Sequence, residues 1–232
     1  ELFKKKQELS NFSHTVSHDL KSPIVGAASL FDLFMFRVKS EHPQIIEDEN
    51  LNDILERIPL TFKKMIDFIN TQLDYAEAGQ VLGEFELVSM KKLIKTVIEN
   101  FDYAEREGMV RFVKLPEMPK VLCDPIQMLK VWQNLIANSI KYRGSKNPVK
   151  IEFGSGKSEG ILKYWIQDDG PGILKEHQDK VFETNARLNY DVEGYGFGLA
   201  TVRKIVEAHG GRIWIDPEFK KGASFVCELP DM

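Results

Sequence analysis

The first 78 or so residues carry an apolar pattern of helical period. Apolar positions recur in steps of three and four along two runs, separated by the short polar segment 40–43. Pro43 can start the second helix but cannot continue the first, because it lacks a backbone N–H. Pro59 lies inside the second run and is predicted to kink or interrupt that helix. The pattern predicts a helical hairpin.

Both apolar stripes of this hairpin are broad. A pair of helices packed only on each other leaves much of such a stripe uncovered. A homodimeric four-helix bundle covers it most economically. Packing of the hairpin on the second half of the chain is the open alternative.

The pattern changes after the segment 77–83, where strand-like and helix-like runs intermingle. Such a mixture predicts an α/β sandwich, a sheet with helices on one face. The fold class is therefore α+β, with a helical domain at 1–79 and a sandwich domain at 80–232. The polar, glycine-bounded stretch 173–196 is typical of a mobile loop or lid. Strands are predicted at 84–88, 110–114, 149–153, 161–167, 212–216 and 223–229, and helices at 89–105, 124–142 and 197–209.

Composition excludes several classes of protein. The 232 residues are 43% hydrophobic and 28% charged, which is an ordinary globular balance. A net charge of −4 argues against a general nucleic-acid binder. No apolar run approaches the roughly 18 residues needed to cross a bilayer, so we expect no membrane contact. Cys123 and Cys227 lie in apolar strand-like runs and are expected to be core residues in a reducing compartment.

The chain opens at Glu1 in a helical pattern and without Met. We therefore expect a soluble, cytoplasmic piece of a longer protein. Whether that longer protein is anchored in a membrane stays open.

The stretch Gly154-Ser155-Gly156-Lys157-Ser158 imitates a phosphate-binding P-loop. The motif needs another glycine at the position of Ile151, and the following run is strand-like rather than helical. We interpret 154–158 as a hairpin turn between strands.

A second glycine run, Gly194, Gly196 and Gly198, leads directly into a predicted helix. A turn poor in side chains before a helix offers free N–H groups and the positive end of the helix dipole. Such a turn suits a polyphosphate, although a tight turn alone also explains glycines.

Asp168 ends a predicted strand and is followed by Asp169-Gly170-Pro171-Gly172-Ile173. A carboxylate at a strand end can accept from the amino group of adenine, and Gly172 lets the base approach. A type II turn with solvated acids is the structural alternative.

The predicted helix 124–142 places polar residues on one face: Asn134, Asn138, Lys141 and Tyr142. An amide oxygen of Asn138 is a reasonable Mg²⁺ ligand, Lys141 could meet phosphate and Tyr142 could flank a base. A solvated polar face is the alternative.

His18 falls opposite the centre of the apolar stripe when the first helix advances about 100° per residue. Adjacent Asp19 could hold one ring nitrogen and leave the other as a nucleophile. Pro23 removes the hydrogen bond that the Asp19 carbonyl would receive and allows local bending. His14 is a rival on nearly the same side, and a merely solvated histidine is the alternative.

Taken in this order, the motifs resemble the kinase core of two-component sensor histidine kinases. Residues 17–23 resemble the family's H box, 134–142 its N box and 168–172 its G1 box. Phe182 and Glu183 resemble the start of the F box, and 194–199 resembles G2. The likeness covers nearly the whole chain. It implies a dimerisation and histidine-phosphotransfer hairpin followed by an ATP-binding domain of the Bergerat type.

The resemblance also implies residue roles. His18 would be the phosphoacceptor, Asp19 its base, Asn138 with Asn134 the contact to Mg²⁺, and Asp168 the contact to the adenine amino group. Gly172 would give the base room. The other implied nucleotide contacts are Lys141, Tyr142, Gly170, Ile173, Arg187 toward the γ-phosphate, the lid glycines Gly194, Gly196 and Gly198, and Leu199.

The implied activity is that of an ATP-dependent autophosphorylating protein-histidine kinase. It would pass the phosphoryl group to an Asp of a response-regulator receiver domain. Ser22 stands four residues after His18, where members with phosphatase activity usually have Thr or Asn, and its hydroxyl could serve. The alternatives are a non-catalytic signalling scaffold, for which the unusual F box gives room, and a Bergerat ATPase without a phosphoprotein.

Overall fold

The computed structural model describes residues 2–80, 83–113, 115–186 and 194–231, without the side chains of residues 2–14 and 17. Internal contacts divide the chain into two compact units, Glu1–Glu77 and Ala78–Met232. We treat each unit by itself.

The first unit is the predicted helical hairpin. Its long helices are α1 (Leu2–Glu41) and α3 (Glu49–Glu77), joined through the short α2 (Gln44–Glu47). Asp48 begins α3, because its carboxylate accepts from the backbone N–H of Asn50 at 3.0 Å. Phe31 of α1 meets Phe62 of α3 edge to face, with ring centroids 6.5 Å apart, so the apolar stripes of the two helices face each other.

Pro59 was predicted to kink or interrupt the second helix, and the prediction of an interruption is wrong. Helix α3 is continuous from Glu49 to Glu77 with Pro59 inside it, and α1 likewise continues through Pro23. Each proline removes one backbone donor. Packing of α1 against α3, as between Phe31 and Phe62, outweighs one missing hydrogen bond.

The second unit is built on a mixed sheet. In the part that the structure describes, its strand order is β2-β4-β5-β7-β6, with β2 and β4 parallel and the other pairs antiparallel. A small antiparallel sheet of β1 and β3 accompanies it. The strands are β1 Glu86–Ser89, β2 Val110–Phe112, β3 Lys120–Cys123, β4 Val149–Ser158, β5 Ile161–Asp168, β6 Arg212–Ile215 and β7 Ser224–Pro230.

Helices cover one face of this sheet. They are α4 (Met90–Glu99), α5 (Asp102–Arg106), α6 (Pro125–Lys141) and α7 (Gly198–Ala208). Alternate strand residues such as Leu162, Tyr164 and Ile166 point into the core, as the period of a strand requires. The predicted α/β sandwich is therefore confirmed.

Both cysteines are buried core residues, as predicted. Cys123 lies in β3 and Cys227 in β7, and both are free thiols. Burial raises the pKa of each thiol to about 12, so both remain protonated and unreactive at neutral pH.

Several boundaries differ from the predicted ones. The predicted helix 89–105 is split into α4 and α5 at Asn100 and Phe101. Strand β3 corresponds to the strand-like run noted at Cys123, which the predicted strand ranges did not include. The interpretation of 154–158 as a turn is wrong, because these residues extend β4 and the turn falls at Glu159 and Gly160. Gly154 is required there because the ring of Trp165 on β5 lies where its Cβ would be.

Candidate nucleotide and phosphoacceptor sites

Asp168 ends β5 as a buried carboxylate with a defined set of hydrogen-bond donors. Its Oδ1 accepts from the backbone N–H groups of Gly170 at 3.0 Å and Ala223 at 3.1 Å. Its Oδ2 accepts from the Ser139 hydroxyl of α6 at 2.9 Å. The strand, the following turn and the helix thus fix both oxygens.

Burial and hydrogen bonding act on the charge of Asp168 in opposite directions. Loss of water raises the pKa of its carboxyl group above the ordinary value, and adjacent Asp169 adds to this. The donors Ala223, Ser139 and Gly170 oppose the rise in pKa because they favour the ionised form.

Glycines keep the space beside Asp168 open. Gly172 has φ +74°, and a Cβ there would lie 2.9 Å from the carbonyl oxygen of Gly222. A Cβ on Gly222 would collide with the carbonyl oxygen of Asp168. Glycine at both positions is therefore a steric requirement of the turn that holds the carboxylate.

The polar face of α6 meets the glycine run before α7. A Cβ on Gly198, the first residue of α7, would lie 2.8 Å from Oδ1 of Asn134 and 3.8 Å from Nδ2 of Asn138. Lys141 Nζ occupies the place of a Cβ on Gly194. Asn134, Asn138 and Lys141 thus converge with the predicted phosphate-binding turn.

The start of α7 presents backbone donors to this region. Its N-cap residue Phe197 makes no side-chain cap hydrogen bond, so the N–H groups of the first turn are not capped in that way. Lys141 adds a positive charge, and its Nζ also lies 4.7 Å from the centroid of the Tyr142 ring. The combination of helix N-terminus and ammonium group suits an anion.

The remaining predicted contacts are distributed around the same region. Gly196 has φ +74° and lies against the backbone of Asn185, while Ile173 and Leu199 are partly buried against the core. Phe182 is buried and meets Phe225 edge to face at 6.4 Å, which anchors the F-box segment. Arg187 lies outside the described residues.

In the helical unit, His18 stands in solvent. Its side chain is 76% exposed, and its Nδ1 lies 3.3 Å from Oδ1 of Asp19. Ser22, one turn further along α1, is also exposed. The predicted surface placement of His18 is therefore present, with one ring nitrogen oriented by a carboxylate and the other facing solvent.

The donor set for a metal is sparse. Among the described residues, no cluster of three or more His, Cys, Asp or Glu side chains could hold a metal ion by itself. Mg²⁺ in phosphate sites typically takes one or two protein oxygens and completes its shell from phosphates and water. The half-buried Asn138, with Asn134 one turn away, fits that mode of binding.

Sequence reasoning missed Ser139, Gly222 and Ala223. Ser139 could have been found, because it is a hydroxyl residue on the buried, otherwise apolar face of α6, next to Asn138. Gly222 and Ala223 follow a surface turn after β6 and carry no motif, and only the folded sheet brings them to Asp168.

Within the described residues, no helix has the length and apolar character needed to cross a bilayer.

Asp168 and its turn lie within a segment that matches a known family of ATP-binding domains. Residues 123–232 match the family described as histidine kinase-, DNA gyrase B-, and HSP90-like ATPase. Cyanobacterial phytochrome B of Nostoc sp. (strain PCC 7120) is 31% identical over 236 residues, covering 100% of this chain and 31% of the relative. The methanogenesis regulatory histidine kinase FilI of Methanothrix harundinacea is 29% identical, covering 97% of this chain and 25% of the relative. The chain thus spans about a third or less of these relatives.

Solved structures share the fold. Full-length ShkA in complex with AMPPNP has a TM-score of 0.69 at 19% identity, covering 95% of this chain and 45% of that one. Histidine kinase ThkA in complex with the response regulator TrrA has a TM-score of 0.64 at 24% identity, covering 99% and 65%. These two structures show the shared fold. The matched family model and the relatives named as histidine kinases support a sensor histidine kinase core and the expected enzyme class of protein-histidine kinase.

Proposed function

We propose that this chain is an ATP-dependent autophosphorylating protein-histidine kinase with His18 as phosphoacceptor. The observation that carries the proposal is the exposed His18, paired with Asp19, in a chain whose other unit is an ATP-binding domain of the matched family. A solvent-facing imidazole has no structural task at this position.

The reaction is an in-line phosphoryl transfer. The ring nitrogen of His18 that does not face Asp19 attacks the γ-phosphorus, the bond to the β–γ bridging oxygen breaks, and ADP leaves. Asp19 orients the ring and stabilises the positive charge that develops on it, and accepts its proton. Positioning and charge neutralisation supply most of the rate enhancement in such transfers.

The ATP site lies between Asp168 and the start of α7. Asp168 accepts from the adenine amino group, Gly172 clears space for the base, and Tyr142 flanks it. Lys141 and the N–H groups at Gly198 meet the phosphates. Gly170, Ile173, Gly194, Gly196 and Leu199 would complete the site, and the resemblance adds Arg187 as the residue for the γ-phosphate.

Asn138, together with Asn134, would hold the Mg²⁺ that accompanies ATP. The ion would neutralise charge on the phosphates. The support is the amide pair on one face of α6 beside Gly198.

The helical unit, with a boundary near residue 79, would form a homodimer. The support is the exposed apolar stripe that the single hairpin leaves, including Leu30 at 70% exposure and Ile54 at 53%. The resulting four-helix bundle would carry His18 on its outer surface.

The phosphoryl group would pass to an Asp of a response-regulator receiver domain. ThkA, which shares this fold, is solved in complex with the response regulator TrrA, and this supports a partner of that class. The exposed Ser22 hydroxyl would orient a hydrolytic water if the protein also dephosphorylates its partner. The buried free thiols fit a reducing compartment such as the cytoplasm.

Autophosphorylation of His18 tests the proposal. The full chain is incubated with γ-³²P-labelled ATP, and acid-labile, alkali-stable label on the protein is measured. We expect His18→Ala to abolish the label, because it removes the nucleophile, while binding of ATP by calorimetry is unchanged. His42→Ala, which removes another exposed histidine of the same unit, serves as the matched control and should keep full label.

If the label persists on His18→Ala and is lost on His14→Ala, the phosphoacceptor is His14, one turn earlier in α1. ATP hydrolysis without protein label in the wild type would favour an ATPase that forms no phosphoprotein. ATP binding with neither reaction would favour a signalling scaffold.

A further inference from the structure

The carboxylate of Asp168 has a single acceptor position left for a ligand. A carboxylate oxygen accepts about two hydrogen bonds. Oδ1 already accepts from Gly170 and Ala223, and Oδ2 accepts from Ser139. Within the described residues, the open position is the second one on Oδ2, directly beside the Ser139 hydroxyl.

We propose that Ser139 is a positioning residue that sets the preference of this site for adenine over guanine. The inference rests on the proposed function, in which Asp168 accepts from the base. Adenine presents an amino donor where guanine presents a carbonyl acceptor. A carboxylate held ionised by Ser139 accepts from the amino group and repels the carbonyl oxygen.

The Ser139 hydroxyl is buried, so its hydrogen bond to Asp168 is harder to replace than one at the surface. Ser139 is 4% exposed and Asp168 is 7% exposed, so water cannot replace the hydroxyl without rearrangement. Without Ser139, the pKa of Asp168 rises further, because burial already raises it and one of three opposing donors is lost. A protonated carboxyl group can donate to the guanine carbonyl oxygen, which relaxes the discrimination.

The experiment titrates the full chain with ATP and with GTP by calorimetry over a pH series. We expect Ser139→Ala to weaken ATP binding about tenfold, the size of one hydrogen bond to a charged group. We expect its ratio of ATP to GTP affinity to fall, and the acidic loss of ATP affinity to move to higher pH. Ser139→Thr keeps the hydroxyl and should restore all three quantities toward wild type.

Tyr164→Phe is the matched control. It removes another buried hydroxyl, which donates to the carbonyl of Pro119 at 3.1 Å, from the same strand as Asp168. It should change stability but neither the nucleotide preference nor the pH profile. Thermal melting verifies that each variant is folded.

Two failures are distinguishable. If Asp168→Asn leaves ATP affinity unchanged, the adenine site of the proposed function is misplaced. If Asp168→Asn weakens ATP binding while Ser139→Ala changes neither the ATP to GTP ratio nor the pH profile, the proposed site stands and the role of Ser139 is overturned.

Discussion

Asp168 illustrates how a fold fixes the single buried group that is proposed to recognise a base. An Asp at a strand end was visible in the sequence, and so was its glycine-rich turn. Its donors were not, because Ala223 lies 55 residues further along the chain and reaches Asp168 only through the pairing of β5 with β7. Ser139 was equally hidden, since helical periodicity assigns its position to the core without saying which strand it faces.

Replacement of Asp168 by Asn should weaken ATP binding by about 10- to 100-fold, the range for a lost hydrogen bond to a charged group. An Asn amide can still accept from Gly170 and Ala223 through its oxygen. Its NH₂ group then occupies the position of Oδ2 and meets the adenine amino group donor to donor. Calorimetry with ATP measures the loss, and wild-type affinity in the variant would contradict the assignment of the base.

Affinity for ATP should also depend on pH through Asp168. Burial raises the pKa of this carboxyl group, and an amino donor from the base favours the ionised form, so binding lowers that pKa. Affinity is therefore full above the raised pKa of the free protein and falls as the pH drops through it. Calorimetry in buffers of different ionisation enthalpy should detect proton release on the acidic limb. A flat profile, or proton uptake, would contradict the mechanism.

At the scale of elements, a buried polar cluster ties both helices of the ATP site to the start of the second unit. Asp124 caps α6, accepting from Ile126 N–H at 2.9 Å, and its Oδ2 accepts from Gly83 N–H at 2.7 Å. Its own N–H donates to Nε2 of His209, at the end of α7, at 3.0 Å. The His209 ring stacks on Phe85 with centroids 5.0 Å apart. The residues proposed to bind the nucleotide lie at the opposite ends of α6 and α7.

Loss of the Asp124 side chain should destabilise the protein by about 2 kcal/mol, because a helix cap and a buried tertiary hydrogen bond disappear together. Asp124→Asn retains one acceptor oxygen and should lie between Asp124→Ala and wild type. Urea unfolding measures the stability of the three proteins and so gives their order. Ser89→Ala is the control, since Ser89 begins α4 without a side-chain cap hydrogen bond and should change little. Equal stability of Asp124→Ala and wild type would contradict the role of the cap.

The elements that could be predicted are those with a clear period. The predictions came close to the observed positions of helices α1, α3, α6 and α7 and of strand β5. Their hydrophobic residues recur with the period of a helix or a strand, which is visible in the sequence. The segment 154–158 was misinterpreted because its glycines imply a turn locally. The reason for Gly154 lies across the sheet, where the ring of Trp165 occupies the place of a Cβ. Propensity cannot report such a cross-strand contact.

At the scale of the whole molecule, the two units present different surfaces. The second unit closes its own core between helices and sheet. The first unit does not, because large apolar side chains remain exposed on both α1 and α3, among them Leu30, Phe36 and Ile54. An exposed apolar surface of this extent is typical of an association surface. This imbalance supports the proposed homodimer.

The dimer can be tested by charging that surface. We expect the wild-type chain to sediment as a dimer and Leu30→Glu to shift it to monomer, because a carboxylate buried between apolar helices loses its hydration without gaining a partner. Tyr103→Glu is the matched control. Tyr103 is 69% exposed, close to the 70% of Leu30, but belongs to α5 of the second unit, so its variant should remain dimeric. A wild-type chain that sediments as a monomer would contradict the dimer. If Tyr103→Glu is monomeric while Leu30→Glu stays dimeric, the association surface lies elsewhere. ATP affinity should be the same in all three proteins, because the nucleotide residues belong to the other unit.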